Sequence, residues 1–200
     1  MNARIAALAL VLVAPAVLAQ EYQNPAKARA AERAAMIETL QRGKQLKGSR
    51  EQYQHLPQVF AVGLANSSET PEEAVARTES GAQVLETKGK LVLFRSTQQK
   101  PAFVETVAGA TVYPTVLNTR TGTFGVLTGT LVVRPKKLAD AAAIASSHGL
   151  EKGKEYRHLQ TVFYRAKAGT DIADAAAALQ ADARIESAYP EIIEYVRVPK

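Results

Sequence analysis

The sequence predicts an α+β protein whose C-terminal part is a split βαβ unit, an antiparallel sheet covered by two helices on one face. Three observations carry this. Residues 124–134 alternate, with Leu127, Leu131 and Val133 on one side of a strand and Thr128, Thr130 and Val132 on the other. Two Ala-rich helices are expected, over 136–148, with Gly149 at the position where a positive φ is cheap, and over 172–181. Short β-rich runs at 154–159, 161–166 and 184–189 complete the order β-α-β-β-α-β across 124–190.

Composition narrows the function classes. The 200 residues carry 25 Lys+Arg against 19 Asp+Glu, a net charge of +6, and 46% are hydrophobic. Much of that apolar content is Ala, and the aromatics are 7 Tyr and 5 Phe, so the core is thin for the length. With 0 Cys there is no disulfide framework, thiolate metal site or thiol nucleophile. His55, His148 and His158 are scattered outside any metal-ligand spacing, and no nucleophile sits near a matching base. No metal, no cofactor and no enzymatic activity are expected. The basic residues form no stripe interleaved with aromatics, which disfavours nucleic acid as a partner.

Residues 1–19 read as a secretory signal peptide: Arg4, an apolar run over 5–13, a break at Pro15, and Val17-Leu18-Ala19 before the cleavage point. The run is short of the ~20 apolar residues of a membrane span, so an exported protein, periplasmic or extracellular and free of the membrane once the signal is removed, is expected. Residues 20–81 form a mostly helical N-terminal extension. Its first part, over 24–50, is Ala, Arg, Lys, Glu and Gln with few large apolar side chains, a weakly amphipathic and solvated leader rather than a basic arm. A short apolar strand or docking segment is expected over 59–64. Thr70, Pro71 and Glu73 then stand in capping-box register before a short helix that Gly81 can end. The period turns to two over a β-rich region, 82–123. There a hairpin around Gly89 joins Val84-Leu85 to 91–94, and runs at 103–113 and 116–118 follow. The unit at 124–190 comes next, and Pro190 is expected to stop its last strand before an extended tail, 191–200.

Within that unit the residues resemble a known family. Gly129-Thr130-Leu131-Val132-Val133-Arg134-Pro135, the helix ending His148-Gly149-Leu150, and Thr161-Val162-Phe163-Tyr164-Arg165-Ala166 before Gly169-Thr170 are similar to propeptides of subtilisin-like serine proteases. The stretch from Leu179 to Pro190 looks like the closing pattern of those propeptides, with Ala183 where Pro is usual and Tyr189 where Glu is usual. The chain ends at Lys200 without the Asp, His and Ser segments of a protease triad. With the signal and the extension, it looks like the free-standing external chaperones of secreted kexin-like subtilases.

The resemblance implies a ferredoxin-like, subtilisin-propeptide-like fold and a function as inhibitor and folding chaperone, with a subtilisin-like serine protease as partner. It implies that the bare sheet face, with Thr128, Thr130, Val132, Thr161, Phe163, Glu186 and Ala188, packs on surface helices of the protease. Glu186 would face a helix N-terminus, a contact worth about 0.3–1 kcal/mol when exposed. The tail, with Tyr195, Arg197, Val198, Pro199 and Lys200, would pair as an extended strand in the substrate cleft, Lys200 meeting an acidic pocket as bound product. The competing reading is an exported, non-catalytic protein-binding module unrelated to proteases.

Overall fold

The computed structural model describes residues 25–194, with side chains from residue 30 onward. In chain order these residues form α1 (Pro25–Glu38), β1 (Gln45–Lys47), β2 (Gln52–Gly63), α2 (Pro71–Ala76), β3 (Gln83–Lys88), β4 (Leu91–Arg95), β5 (Glu105–Val107), β6 (Ala110–Asn118), β7 (Phe124–Pro135), α3 (Ala141–Ser147), β8 (Glu151–Tyr156), β9 (Thr161–Arg165), α4 (Ile172–Ala181) and β10 (Ile185–Ile193). The fold is mixed α and β, a large antiparallel sheet with few helices. The ten described strands join one sheet in the order β3-β4-β2-β6-β7-β9-β8, with β1 on β2, β5 on β6 and β10 on β7. No helix among the described residues is long and apolar enough to cross a membrane.

The long strand β7 organises this sheet. Val126 pairs with Thr115 of β6 on one side and with Ile193 of β10 on the other, while Val132 pairs with Phe163 of β9 and Tyr189 of β10. Strands β6 and β9 therefore follow one another along the same edge of β7, and β10 runs along the opposite edge. The predicted β-rich region and the C-terminal unit share this one sheet.

Local chemistry explains the elements. Thr70 caps α2 by accepting from the Glu73 N–H, and Glu73 accepts from the Thr70 N–H, the reciprocal box expected from the sequence. Asp171 caps α4 by accepting from the Ala173 and Asp174 N–H groups. Gly89 (φ 60°) turns the β3–β4 hairpin, and Gly149 (φ 63°) ends α3.

Three apolar clusters fill the layers. Leu127, Leu131, Val133, Val162 and Tyr164 meet Ile144, Ile172 and Leu179 of α3 and α4. Phe124 and Val126, on the opposite side of β7, join Leu56, Val59 and Leu93 beneath Met36 and Ile37 of α1. Phe60, Val92 and Phe94 pack with Ala74 and Val75 of α2. Around β2 and β4 the two sheet faces thus carry α1 and α2, whereas α3 and α4 share one face around β9.

Several expectations need correction. Strand β2 begins at Gln52 rather than at 59, and the register shift between Leu56 and Phe60 makes room for Pro57. The helix expected over 136–148 is shorter, a 3-10 turn at Leu138–Asp140 followed by α3. Pro190 does not end its strand, and β10 continues to Ile193. Gln180 Nε2 donates to the Ala188 carbonyl at 2.8 Å, so that carbonyl points away from β7, and alternation sends the missing N–H of Pro190 the same way. The tail expected from 191 is therefore ladder up to Ile193, with Ile192 opposite Leu127. The signal segment, 1–19, and Tyr195, Arg197, Val198, Pro199 and Lys200 lie outside the described residues.

Candidate functional site

The ladder registers set which side chains share the face opposite α3 and α4. Leu131 pairs with Tyr164 and Val133 with Val162, and all four are buried on the helix side. Strand alternation sends the intervening pairs, Val132 with Phe163 and Thr130 with Arg165, to the other side. Tyr156, paired with Thr161 in the β8–β9 hairpin, joins them.

These residues build a shallow groove of about 250 Å³ lined by Thr130, Gly153, Lys154, Tyr156, Phe163 and Glu191, among others. The Tyr156 and Phe163 rings meet edge to face, centroids 5.5 Å apart at 64°. Lys154 Nζ stands 4.8 Å from the Tyr156 ring centroid. Gly153 is required for this approach, since a Cβ there would lie 2.9 Å from the Phe163 carbonyl oxygen. Phe163, Thr130 and Thr161 are half-buried and Arg165 is exposed. The rim is basic at Lys154 and Arg165, and acidic at Glu191. Such a surface offers aromatic area, ladder-fixed rigidity and charge of both signs, which suits recognition of another protein surface.

The expected face residues divide in their placement. Thr130, Thr161 and Phe163 line or border the groove. Val132 lies on the predicted face, between Phe163 and Tyr189, and is itself buried. Thr128 lies along the same strand side, with its hydroxyl donating to Glu191 Oε2 at 2.7 Å. Glu186 is half exposed and ion-paired with Arg134 at 3.1 Å, beside a separate cleft of about 340 Å³ between β10 and Lys47–Ser49. Ala188 is a correction: it pairs with Val133 and is 4% exposed, in the core beneath α4. The irregularity between Ile185 and Ser187 shifts the register, and a one-residue shift exchanges the two faces.

The sequence reading missed Lys154, Tyr156, Arg165, Tyr189 and Glu191. The signal for Tyr156 was present, because folding 154–156 back on 161–163 sets Tyr156 beside Phe163. Glu191 carried none, since Pro190 had been read as the end of pairing.

Behind the face, α3 and α4 are tied together. Asp182 Oδ2 accepts from Arg184 at 2.6 Å and lies 2.9 Å from His148 Nε2. Hydrogen bonds from Arg184, then His148, hold the Asp182 carboxyl well below the usual carboxylate range. Tyr164 donates from its buried hydroxyl to the Ala141 carbonyl at 2.9 Å, and burial pushes its phenol up to about 12. These bonds fix the helix layer against the sheet.

No curated protein matches the chain. A chain in the crystal structure of the Aeromonas sobria serine protease (ASP) and the chaperone (ORF2) complex matches at 24% identity, covering 48% of this chain and 99% of that one, with a TM-score of 0.36. An overlap this loose transfers neither fold nor contacts. The family model described as the open reading frame 2 N-terminal domain matches residues 14–197, and the chain belongs to that family.

Proposed function

We propose that this protein is an exported chaperone and inhibitor of a subtilisin-like, kexin-like serine protease. The C-terminal unit is read as a split βαβ of the propeptide type: β10 and β9 flank β7 and β8 lies outside β9. The observation that carries the reading is the half-covered Phe163–Tyr156 face opposite α3 and α4. It falls within the residues that resemble subtilase propeptides, and it is the surface that resemblance assigns to the protease. Open reading frame 2 is also the name given to the chaperone in the Aeromonas complex, which fits the reading without supporting its geometry.

The face docks on the folded protease and the residues after Glu194 enter its cleft as an added strand. A ligand that binds the native protease and not its unfolded chain stabilises it by about 4 kcal/mol at 1,000 times Kd. Inhibition and chaperoning then use one surface. Thr128 and Glu186 already have partners within the chain, which favours a second reading, an exported non-catalytic binding module with no protease involved. Co-incubation with denatured kexin-like subtilases, scored for recovered activity and then for inhibition of the folded enzymes, separates the two. Rescue followed by inhibition that is lost on deleting the last six residues supports the chaperone; neither rescue nor inhibition across several such enzymes overturns it.

A further inference from the structure

The end of β10 is held by residues from distant parts of the sheet. Lys88, at the end of edge strand β3, reaches across to donate from Nζ to the Phe124 carbonyl at 2.6 Å and to the Glu194 carbonyl at 3.1 Å. Asn118, at the end of β6, donates from Nδ2 to Glu194 Oε1 at 2.9 Å. Its own Oδ1 accepts from the Arg120 and Thr121 N–H groups, so the amide is fixed and 1% exposed. Gly125 completes the seat: a Cβ there would meet Ile192 Cγ2 at 2.5 Å and Glu194 Cγ at 3.6 Å. Burial lowers the Lys88 ammonium from its ordinary range. Burial and the Glu194 carboxylate raise the Tyr53 phenol.

We propose that Lys88, Asn118 and Gly125 form a latch on Glu194 that fixes where, and in which direction, the last six residues leave the sheet, making them positioning residues for the C-terminal segment. This rests on the reading of that segment as a cleft ligand and deepens it. Two sites joined in one molecule gain from each other only when their spacing and direction match the target, because the second contact then forms at high effective concentration. The latch supplies that match, and it gives the part of the chain before 124 a task, since Lys88 and Asn118 lie outside the unit that resembles propeptides.

Two variants break the latch from opposite sides, Lys88→Met and Glu194→Ala. In the full chain each should weaken inhibition of a responsive subtilase by roughly tenfold. In a chain ending at Glu194 the Lys88→Met change should leave protease binding as it was. Unchanged inhibition in both folded variants, or an equal loss in the shortened chain, overturns the proposal. A protease-free arm uses the lack of native cysteine: spin labels at Ile193→Cys, the last ladder residue, and at the exposed Ala143→Cys of α3 report the distance between the end of β10 and the helix layer. The distribution should be narrow in the parent and at least twice as broad in both variants, and equal widths overturn the latch. If no subtilase responds to the parent, the functional reading fails and the spin-label widths alone decide the latch.

Discussion

His55 gives the prediction whose size follows most directly from the structure. Its ring is 4% exposed on β2, and its Nε2 has no hydrogen-bond partner. Burial, aided by nearby Lys44 and opposed by Asp171, pushes the imidazole down to about 4 from 6.5. The folded chain keeps His55 neutral where the unfolded chain takes up a proton, so the unfolded state binds more protons between pH 6.5 and pH 4. Stability is therefore complete above pH 6.5 and falls as the pH drops to 4. At about 1.4 kcal/mol per pH unit of that gap, His55 alone removes about 3 kcal/mol by pH 4. The assay is urea unfolding of the parent and of His55→Leu at pH 7.5 and 4.0. Carboxylate titration is common to both chains and cancels. The variant should lie within about 1 kcal/mol of the parent at pH 7.5 and be more stable by about 3 kcal/mol at pH 4.0. Parallel pH profiles in the two chains would refute the argument.

Other outcomes follow from the same geometry. Phe163→Ala should cost about 1 kcal/mol of stability, because the ring is half-covered, yet weaken protease binding about thirtyfold as a central aromatic anchor; calorimetric titration and urea midpoints read the two effects. Thr70→Ala should remove about 1 kcal/mol by breaking the α2 cap while leaving protease affinity unchanged, since α2 packs on the other end of the sheet. Tyr164→Phe should lose about 1 kcal/mol with the buried bond to Ala141 and should also spare binding.

Where local chemistry decides, the sequence was legible. The Thr70 box, the Gly89 turn and the inward triplet Leu127, Leu131 and Val133 all follow from neighbours a few residues away. Positions set by long-range pairing were not. Ala188 changed face because a ladder irregularity near Ser187 cannot be seen in alternation alone. Pro190 looked like a stop, yet edge position makes a proline harmless, and edge position is a property of the whole sheet. The latch was hidden for the same reason: Lys88, Asn118 and Glu194 are joined only by the course of β3, β6 and β10. Of the groove opposite α3 and α4, Thr130, Thr161 and Phe163 had been assigned to that face from the sequence, while its basic and acidic rim came from hairpin pairing and from the unexpected length of β10.

The central claim, that the Phe163 face opposite α3 and α4 is the docking surface, is tested most directly by backbone hydrogen exchange of the chain alone and saturated with a responsive subtilase. Slowed exchange concentrated in 128–134, 153–156 and 161–165, with the exposed sides of α3 and α4 unchanged, is the result expected. Slowed exchange on α3 and α4 with no change across β8 and β9 would contradict it.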